Sequence, residues 1–317
     1  MRLLFSSAGR RVGLIKCFKK AAEELNLDLE TYAVDMVPEW SPACKIVDRY
    51  WAVPRCTDES FVPWIKEICS THDIDLIVPT IDTELPIYSS IREDLQKAGT
   101  QVLLPPSRLV AMAYDKFETA TLLAKHGINT PRSRLSKDLP DTSTVKLPVF
   151  AKPLRGSRSV GAQIIRSKAA LNAVKDEGNY IIQEECYGDE YTVNCYFDSD
   201  AGFICTVPHY RKLTRGGEVC LAETVHVKAF DYVAEKLLEI FPDLNGVISI
   251  QGFLQDGTLR IFEINARLSG GYPLCDKAGG TYARWILQKL AGQKPDYNKN
   301  WREGVRMLRY HEAIYTP

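Results

Sequence analysis

Over the first hundred residues, short apolar runs alternate with longer stretches whose apolar positions recur every three to four residues. Residues 3–6 predict a strand, Ala8-Gly9 a turn and residues 12–25 a helix. A second strand over 29–34 ends at Asp35, and a helix over 61–71 sets Phe61, Ile65 and Ile68 on one face. Residues 76–79 predict a short buried strand, 87–98 a helix, and 101–104 a strand stopped by Pro105-Pro106. Alternation of this kind implies a parallel sheet with right-handed crossovers. Ligands bind such sheets beyond the carboxyl ends of the strands. Here those ends carry SSAGRR, Asp35 and the stretch PTIDTE from Pro79 to Glu84.

After the Pro-Pro step the pattern changes. Residues 108–126 predict one helix that includes Asp115-Lys116, with Gly127 as its stop and Pro131 ending the connection. Strand patterns then dominate, over 149–152, 161–165, 180–183, 191–197 and 202–207. A helix over 229–241 intervenes before strands at 247–254 and 259–265, joined through Asp256-Gly257. Residues 282–290 predict a last helix, and the polar tail after Gly292 is expected to pack loosely.

Composition narrows the function classes. The chain has 317 residues, enough for two or three compact units. Lys+Arg and Asp+Glu both number 40, which argues against a general nucleic-acid binder. Apolar runs are far shorter than a membrane span, and the first residues read as a buried strand rather than a signal peptide. Nine cysteines are scattered without a C-x-x-C pair, and five histidines show no metal-ligand spacing. Reduced packing thiols in a cytoplasmic protein are the expectation.

Three segments carry candidate chemistry. In VFAKPLRGSRSVGAQII, from Val149 to Ile165, Lys152 interrupts an apolar strand before a loop holding Gly156, Ser157, Ser159 and Gly161. Glycines let backbone N–H groups approach a ligand, and a lysine beside them suits phosphate oxygens. The G-x-x-x-x-G spacing lacks the Lys-Ser/Thr of a Walker A loop, so alone it reads equally as a flexible hairpin. In IFEINARLSGG, from Ile261 to Gly271, Glu263 and Asn265 share a strand face, and Arg267 follows. A carboxylate and an amide oxygen converging on one point suit a hard cation, and Gln251 on the partner strand offers a third oxygen. A plain two-residue Asp256-Gly257 turn would place Gln251 and Glu263 on opposite faces, so a shared face requires a bulge or an odd connection. In IIQEECYGDEYTVN, from Ile181 to Asn194, an extended segment turns at Gly188 and resumes after Glu190. Backbone groups there suit an adenine edge, and a carboxylate beyond suits ribose hydroxyls; a solvated acidic turn is the open alternative.

Order and combination decide between these readings. A helix-borne Asp-Lys, a strand Lys-Pro with a Gly/Ser loop, a hinge with Gly-x-Glu and then Gln…Glu-x-Asn-x-Arg resembles the ATP-grasp superfamily. SSAGRRVGL, PTIDTEL and RKLTRGGEVCLAET resemble the ATP-grasp part of the carbamoyl-phosphate synthase large subunit and its small relatives, the pyrrolysine-biosynthesis ligase among them. The resemblance implies a parallel-sheet α/β pre-ATP-grasp domain over 1–105. A two-subdomain ATP-grasp fold of α+β character follows: residues 106–186 with a glycine-rich lid, then 187–317 with a magnesium site. It implies ATP and Mg²⁺ or Mn²⁺ as cofactors. Lys116, Lys152 and residues Gly156 to Gly161 would meet the phosphates. Glu184, Glu185 and Cys186 would form the adenine hinge, and Glu190 would hold ribose. Gln251, Glu263 and Asn265 would carry metal, although the first of these positions is often acidic in relatives.

The implied reaction joins a small-molecule carboxylate to an amine, or a related nucleophile, through an acyl phosphate. Arg267 would stabilise the transferring phosphoryl group, with Arg211 and Lys212 nearby. Arg10, Arg11, Thr80, Asp82 and Glu84 are candidates for the acceptor wall. There the arginines would meet a carboxylate and the acids an ammonium group; the alternative is that Asp82 and Glu84 only cap a helix. A phosphotransferase and a non-catalytic nucleotide-binding module stay open, no nucleic-acid or membrane partner is expected, and a homodimer is compatible with the reading.

Overall fold

The structure is a computed structural model that describes residues 1–139, 141–156 and 160–316. The first layers run β1 (Arg2–Ser6), α1 (Val12–Glu24), β2 (Glu30–Asp35), β3 (Arg49–Ala52), α2 (Phe61–Thr71), β4 (Leu76–Pro79), α3 (Leu85–Lys97) and β5 (Gln101–Val102). All pairings are parallel, in the order β3-β2-β1-β4-β5. The order turns back between β1 and β4, which opens a crevice at their carboxyl ends, where Ser6 stands beside Pro79. Helix α1 forms because Leu14, Ile15, Phe18, Ala21 and Ala22 fall on one buried face.

Two helices follow, α4 (Ser107–Tyr114) and α5 (Lys116–Lys125), where the sequence pattern predicts one. Asp115 breaks the run. Its backbone is extended and its carboxylate accepts from the N–H groups of Phe117 and Glu118, an N-cap that starts a new helix. Beyond them, β6 (Ser133–Leu135), β7 (Val149–Pro153), β8 (Gln163–Ile165), α6 (Lys168–Glu177) and β9 (Tyr180–Glu184) make a small antiparallel unit, ordered β6-β9-β7-β8. Ser167 caps α6 and Gly178, at φ +74°, ends it.

The remainder is a large antiparallel sheet with helices: β10 (Asp189–Asp198), β11 (Gly202–Arg215), β12 (Glu218–Thr224), α7 (Ala229–Ile240), β13 (Gly246–Gln255), β14 (Thr258–Asn265), α8 (Tyr272–Ala278), α9 (Tyr282–Leu290) and β15 (Arg306–Leu308). The order is β14-β13-β10-β11-β12-β15. Strand β11 is far longer than the predicted 202–207 because its second half pairs with β12, which the pattern did not foresee. The tail corrects another expectation. Trp301 is buried and stacks on His226 at 3.8 Å, and β15 pairs with β12.

The cores show which parts pack together. One cluster joins Leu4, Val34 and Ile77 of the parallel sheet to Val193, Phe230 and Ile250 of the large sheet. A second joins Phe5, Phe18 and Val78 to Tyr196, Tyr272 and Trp285. A Cβ at Gly13 of α1 would lie 3.0 Å from Pro273 of α8, so the glycine permits this close packing. The small four-stranded unit has its own core of Val149, Ala151, Ile165, Leu171, Val174 and Ile182. The parallel-sheet domain and the large sheet are therefore one packed body, and the small unit is a second.

Candidate active site

A cavity of about 450 Å³ lies where the three sheets meet. Its roof comes from the small unit. Lys152, buried on β7, donates to the carbonyl of Phe262 at 3.1 Å and lies 5.2 Å from that ring. Burial, with repulsion from Lys116, pushes its ammonium down to about 8, against the pull of Glu263. Lys116 donates to the Gly156 carbonyl at 2.9 Å, tying α5 to the start of the loop. Gly156 has φ +113° and lines the cavity with Val160 and Ala162. Gly161 is not in the wall; Ser157 and Ser159 lie outside the described residues. Phe150, Ile164, Phe253 and Phe262 supply an apolar slot that the sequence reading did not name.

The hinge residues separate into different roles. The Glu184 carboxylate accepts from the Arg132 backbone at 3.0 Å and its Nε at 2.9 Å, and is also bonded by Arg260. Burial raises this carboxyl, but these bonds and charges outweigh it and hold the group below its usual range. The Glu184 N–H meets the Arg132 carbonyl as well. Residues 185–188 lie between the ladders of β9 and β10, which places the backbone of Glu185 and Cys186 along the cavity. Glu190 also lines it, 3.3 Å from Arg211, and burial raises its carboxyl despite that arginine.

The floor is the large sheet. Gln251 pairs directly with Glu263, and Ser249 with Asn265. Gln255 pairs with Thr258 across the two-residue turn, but the register shifts between Gln251 and Gly252, leaving Phe262 as an extra residue on β14. That bulge turns Glu263 and Asn265 to the side of Gln251. One polar atom of the Asn265 amide stands 3.1 Å from Asp82 Oδ1 and 3.2 Å from Glu263 Oε1. With nitrogen at that position the amide donates to both carboxylates. With oxygen there, three oxygens converge, the donor set a hard divalent cation takes. The residues present thus fit Mg²⁺, and Gln251, Glu263 and Asn265 all line the cavity.

Arg267 points back to the parallel-sheet domain. Its Nε and one terminal nitrogen donate to the two Asp82 oxygens at 2.8 and 2.7 Å. Burial would lower this guanidinium, but Asp82 more than compensates and raises it. Arg211 lines the cavity and donates to Thr192 at 3.2 Å. Lys212 is exposed at an irregularity in the β11–β12 pairing, outside the wall.

Of the expected acceptor wall, Arg11, Thr80 and Asp82 line the cavity, whereas Arg10 and Glu84 do not. Arg10 is 3.7 Å from Glu218. Glu84 is fully buried and accepts from Ser6, Ser7 and the N–H groups of Thr80 and Ile81, so it fixes the crevice loops from behind. Burial raises its carboxyl in spite of those bonds. Thr192, Ser249 and Ser269 are wall residues that sequence reasoning missed. The signal existed: polar side chains at 192, 194, 249 and 251 alternate with apolar ones along two core strands.

The family model of the ATP-grasp domain matches residues 113–271, and that of the PylC-like N-terminal domain matches 3–103. The chain belongs to the ATP-grasp family. Among curated relatives, this ATP-grasp chain is 23% identical over 314 residues to the carbamoyl phosphate synthase large chain of Corynebacterium glutamicum, covering 91% of the chain and 28% of the relative. It is 21% identical over 274 residues to the arginine-specific large chain of Bacillus subtilis, covering 80% of the chain and 26% of the relative. The chain thus spans under a third of these relatives. Solved structures show the same fold. The biotin carboxylase domain dimer of the Hydrogenobacter thermophilus 2-oxoglutarate carboxylase, in complex with MgADP, ADP and bicarbonate, gives a TM-score of 0.73 at 12% identity, over 94% of this chain and 71% of that one. The L-amino acid ligase of Bacillus licheniformis gives 0.68 at 18% identity, over 91% and 73%. No helix among the described residues is long and apolar enough to cross a membrane.

Proposed function

We propose that this ATP-grasp chain is an ATP-dependent carboxylate–amine ligase acting through an acyl phosphate. One observation carries the reading: the cations Lys116 and Lys152 line one side of the cleft, and Gln251, Glu263 and Asn265 line the other, with Arg267 beside them. A triphosphate between these walls meets positive charge from the roof and oxygen donors from the floor. The apolar slot of Phe150, Ile164 and Phe262 suits a purine ring, and the backbone at Glu185 and Cys186 suits its polar edge.

The chemistry divides into two displacements. A carboxylate oxygen of the acceptor attacks the γ-phosphorus, the bond to the β-phosphate oxygen breaks, and ADP leaves. An amine then attacks the acyl carbon, a C–N bond forms, the C–O bond to phosphate breaks, and the amine proton passes to phosphate or water. Positioning and charge stabilisation do most of the work in such transfers. Mg²⁺ held by Gln251, Glu263 and Asn265 would neutralise phosphate oxygens. Lys152 and Lys116 hold the phosphates, and Arg267 faces the charge that develops on the transferring group. The small unit, with its own core, closes over the cleft and keeps water from the acyl phosphate.

The test combines MgATP, hydroxylamine and pools of carboxylic acids, with ADP and hydroxamate measured together. Hydroxamate formed in step with ADP is the expected result. Acid-dependent ADP release with phosphorylated acceptor and no hydroxamate, even after denaturation of the protein in the presence of the trap, would favour a phosphotransferase.

A further inference from the structure

Among the described residues, the crevice end of the cleft holds a cation without an ion-pair partner and no carboxylate that is free. Among the described residues, the Arg11 guanidinium has one hydrogen-bond partner, the carbonyl of Thr80 at 3.2 Å, and it forms no ion pair. Its guanidinium lines the cleft beside Gly270, where a Cβ would lie 2.8 Å from its terminal nitrogen. Any larger residue at 270 would displace it. Burial, and then Arg267, push this guanidinium down to about 10, which leaves it charged at neutral pH.

Every carboxylate nearby is engaged elsewhere. Asp82 is held by two donors of Arg267. Glu218 lies 3.1 Å from Arg309 and 3.7 Å from Arg10. Glu84 accepts four hydrogen bonds behind the wall. Glu218 and Asp82 attract Arg11 only from beyond contact, so this partly buried cation has no paired counter-charge, which an anionic ligand would supply.

We infer that Arg11 binds the acceptor's carboxylate, and that the acceptor is an acid with no ammonium group beside it. A zwitterionic amino acid needs a carboxylate for its ammonium, and the two that the sequence suggested, Asp82 and Glu84, both have other partners. The inference rests on the ligase reading of the cleft and adds the charge class of the acceptor.

The test uses the full chain, with Arg11→Gln and Arg11→Lys beside wild type. Binding of a fluorescent ATP analogue with Mg²⁺ is measured first; its absence in wild type overturns the ligase reading together with this inference. ADP release is then followed with two pools, simple mono- and dicarboxylic acids without amino groups, and the matching α-amino acids. The expected result is stimulation by the first pool alone. For the stimulating acid, KM rises about tenfold or more in Arg11→Gln, with partial recovery in Arg11→Lys, while nucleotide binding holds. Three results would overturn the inference while leaving nucleotide binding intact: equal or greater stimulation by the amino acids, no stimulation by either pool, or an acid KM indifferent to Arg11→Gln.

Discussion

Asp82 clamps Arg267 with two parallel hydrogen bonds, although 185 residues separate them in the chain. Each side chain is 12% exposed, so the pair is desolvated as well as charged. The parallel-sheet domain therefore orients a cation just past the end of β14, the one proposed to face the transferring phosphoryl group. Removing one partner leaves the other charge buried, at about 3–5 kcal/mol. Asp82→Asn is expected to lower Tm and to slow acid-dependent ADP release by about tenfold or more. Arg267→Gln in the Asp82→Asn background should cost far less than it does alone. Simple additivity of the two changes in a double-mutant cycle would show that the pair does not act as a unit.

Glu263 is the one carboxylate among the three proposed metal donors, and Gln251 lies directly across from it. Glu263→Gln is expected to cut turnover by about a hundredfold or more and to raise the Mg²⁺ needed for half-activation. Gln251→Glu should move the Mg²⁺ requirement the other way, because a second charge beside Glu263 strengthens cation binding. A magnesium titration of both variants, read by ADP release, decides the assignment; an unchanged midpoint in Glu263→Gln would remove Glu263 from it.

Lys152 is expected to make nucleotide binding depend on pH. Its folded value is about 8, below the ordinary 10.5. An anionic ligand raises it, so ATP binding takes up a proton once the free group has lost its own. Affinity is expected to be highest below about pH 8 and to fall as pH rises beyond it, and Lys152→Arg should flatten that fall. Stability of the nucleotide-free protein runs the opposite way. Between pH 8 and 10.5 the unfolded chain binds the proton and the folded chain does not, so this group's contribution to stability rises with pH across that window. Calorimetric ATP titrations from pH 7 to 10 give the first slope, and urea midpoints over the same range give the second.

Gly188 sits where the chain passes from the small unit to the large sheet. It has φ +104°, and a Cβ there would lie 2.4 Å from the Leu254 carbonyl oxygen. Both the conformation and the contact exclude a side chain. Gly188→Ala should lower stability by about 2 kcal/mol or more, read as a reduced urea midpoint. Gly257→Ala is the contrast: its φ is +75° but nothing lies within 4 Å of the added carbon, so only the backbone cost, about 1 kcal/mol, is expected.

The strand–helix alternation showed most of the parallel sheet because strands such as Leu76–Pro79 are short and buried and are separated by amphipathic helices such as Phe61–Thr71, whereas the largely exposed edge strand β3, RYWA, went unseen. Strand β12 was hidden because EVCLAET mixes charged and apolar residues in a half-exposed strand beside the charged end of β11. Glu263 and Asn265 could be put on one face from their spacing alone. Whether Gln251 joins them depends on the bulge at Phe262, a tertiary feature of the hairpin. Asp82 was read as an acceptor-wall acid because nothing local announces its pairing with Arg267. Glu84 was misplaced for a related reason: its partners Ser6 and Ser7 are brought to it by strand order, about eighty residues away in sequence.

The extra residue at Phe262 makes the site depend on parity as well as identity. Pairing the same residues in regular register, without that offset, would leave Gln251, Glu263, Asn265 and Arg267 all present in the sequence. Gln251 would then stand across from Phe262 and Glu263 across from Ile250, turned toward the face where Ile250 packs against the apolar side chains of α4, α5 and α7. A carboxylate would enter an oily interior while an isoleucine faced the phosphates. In this hairpin the register between the turn and the acid is part of the chemistry, and a one-residue slip does the damage of several substitutions at once.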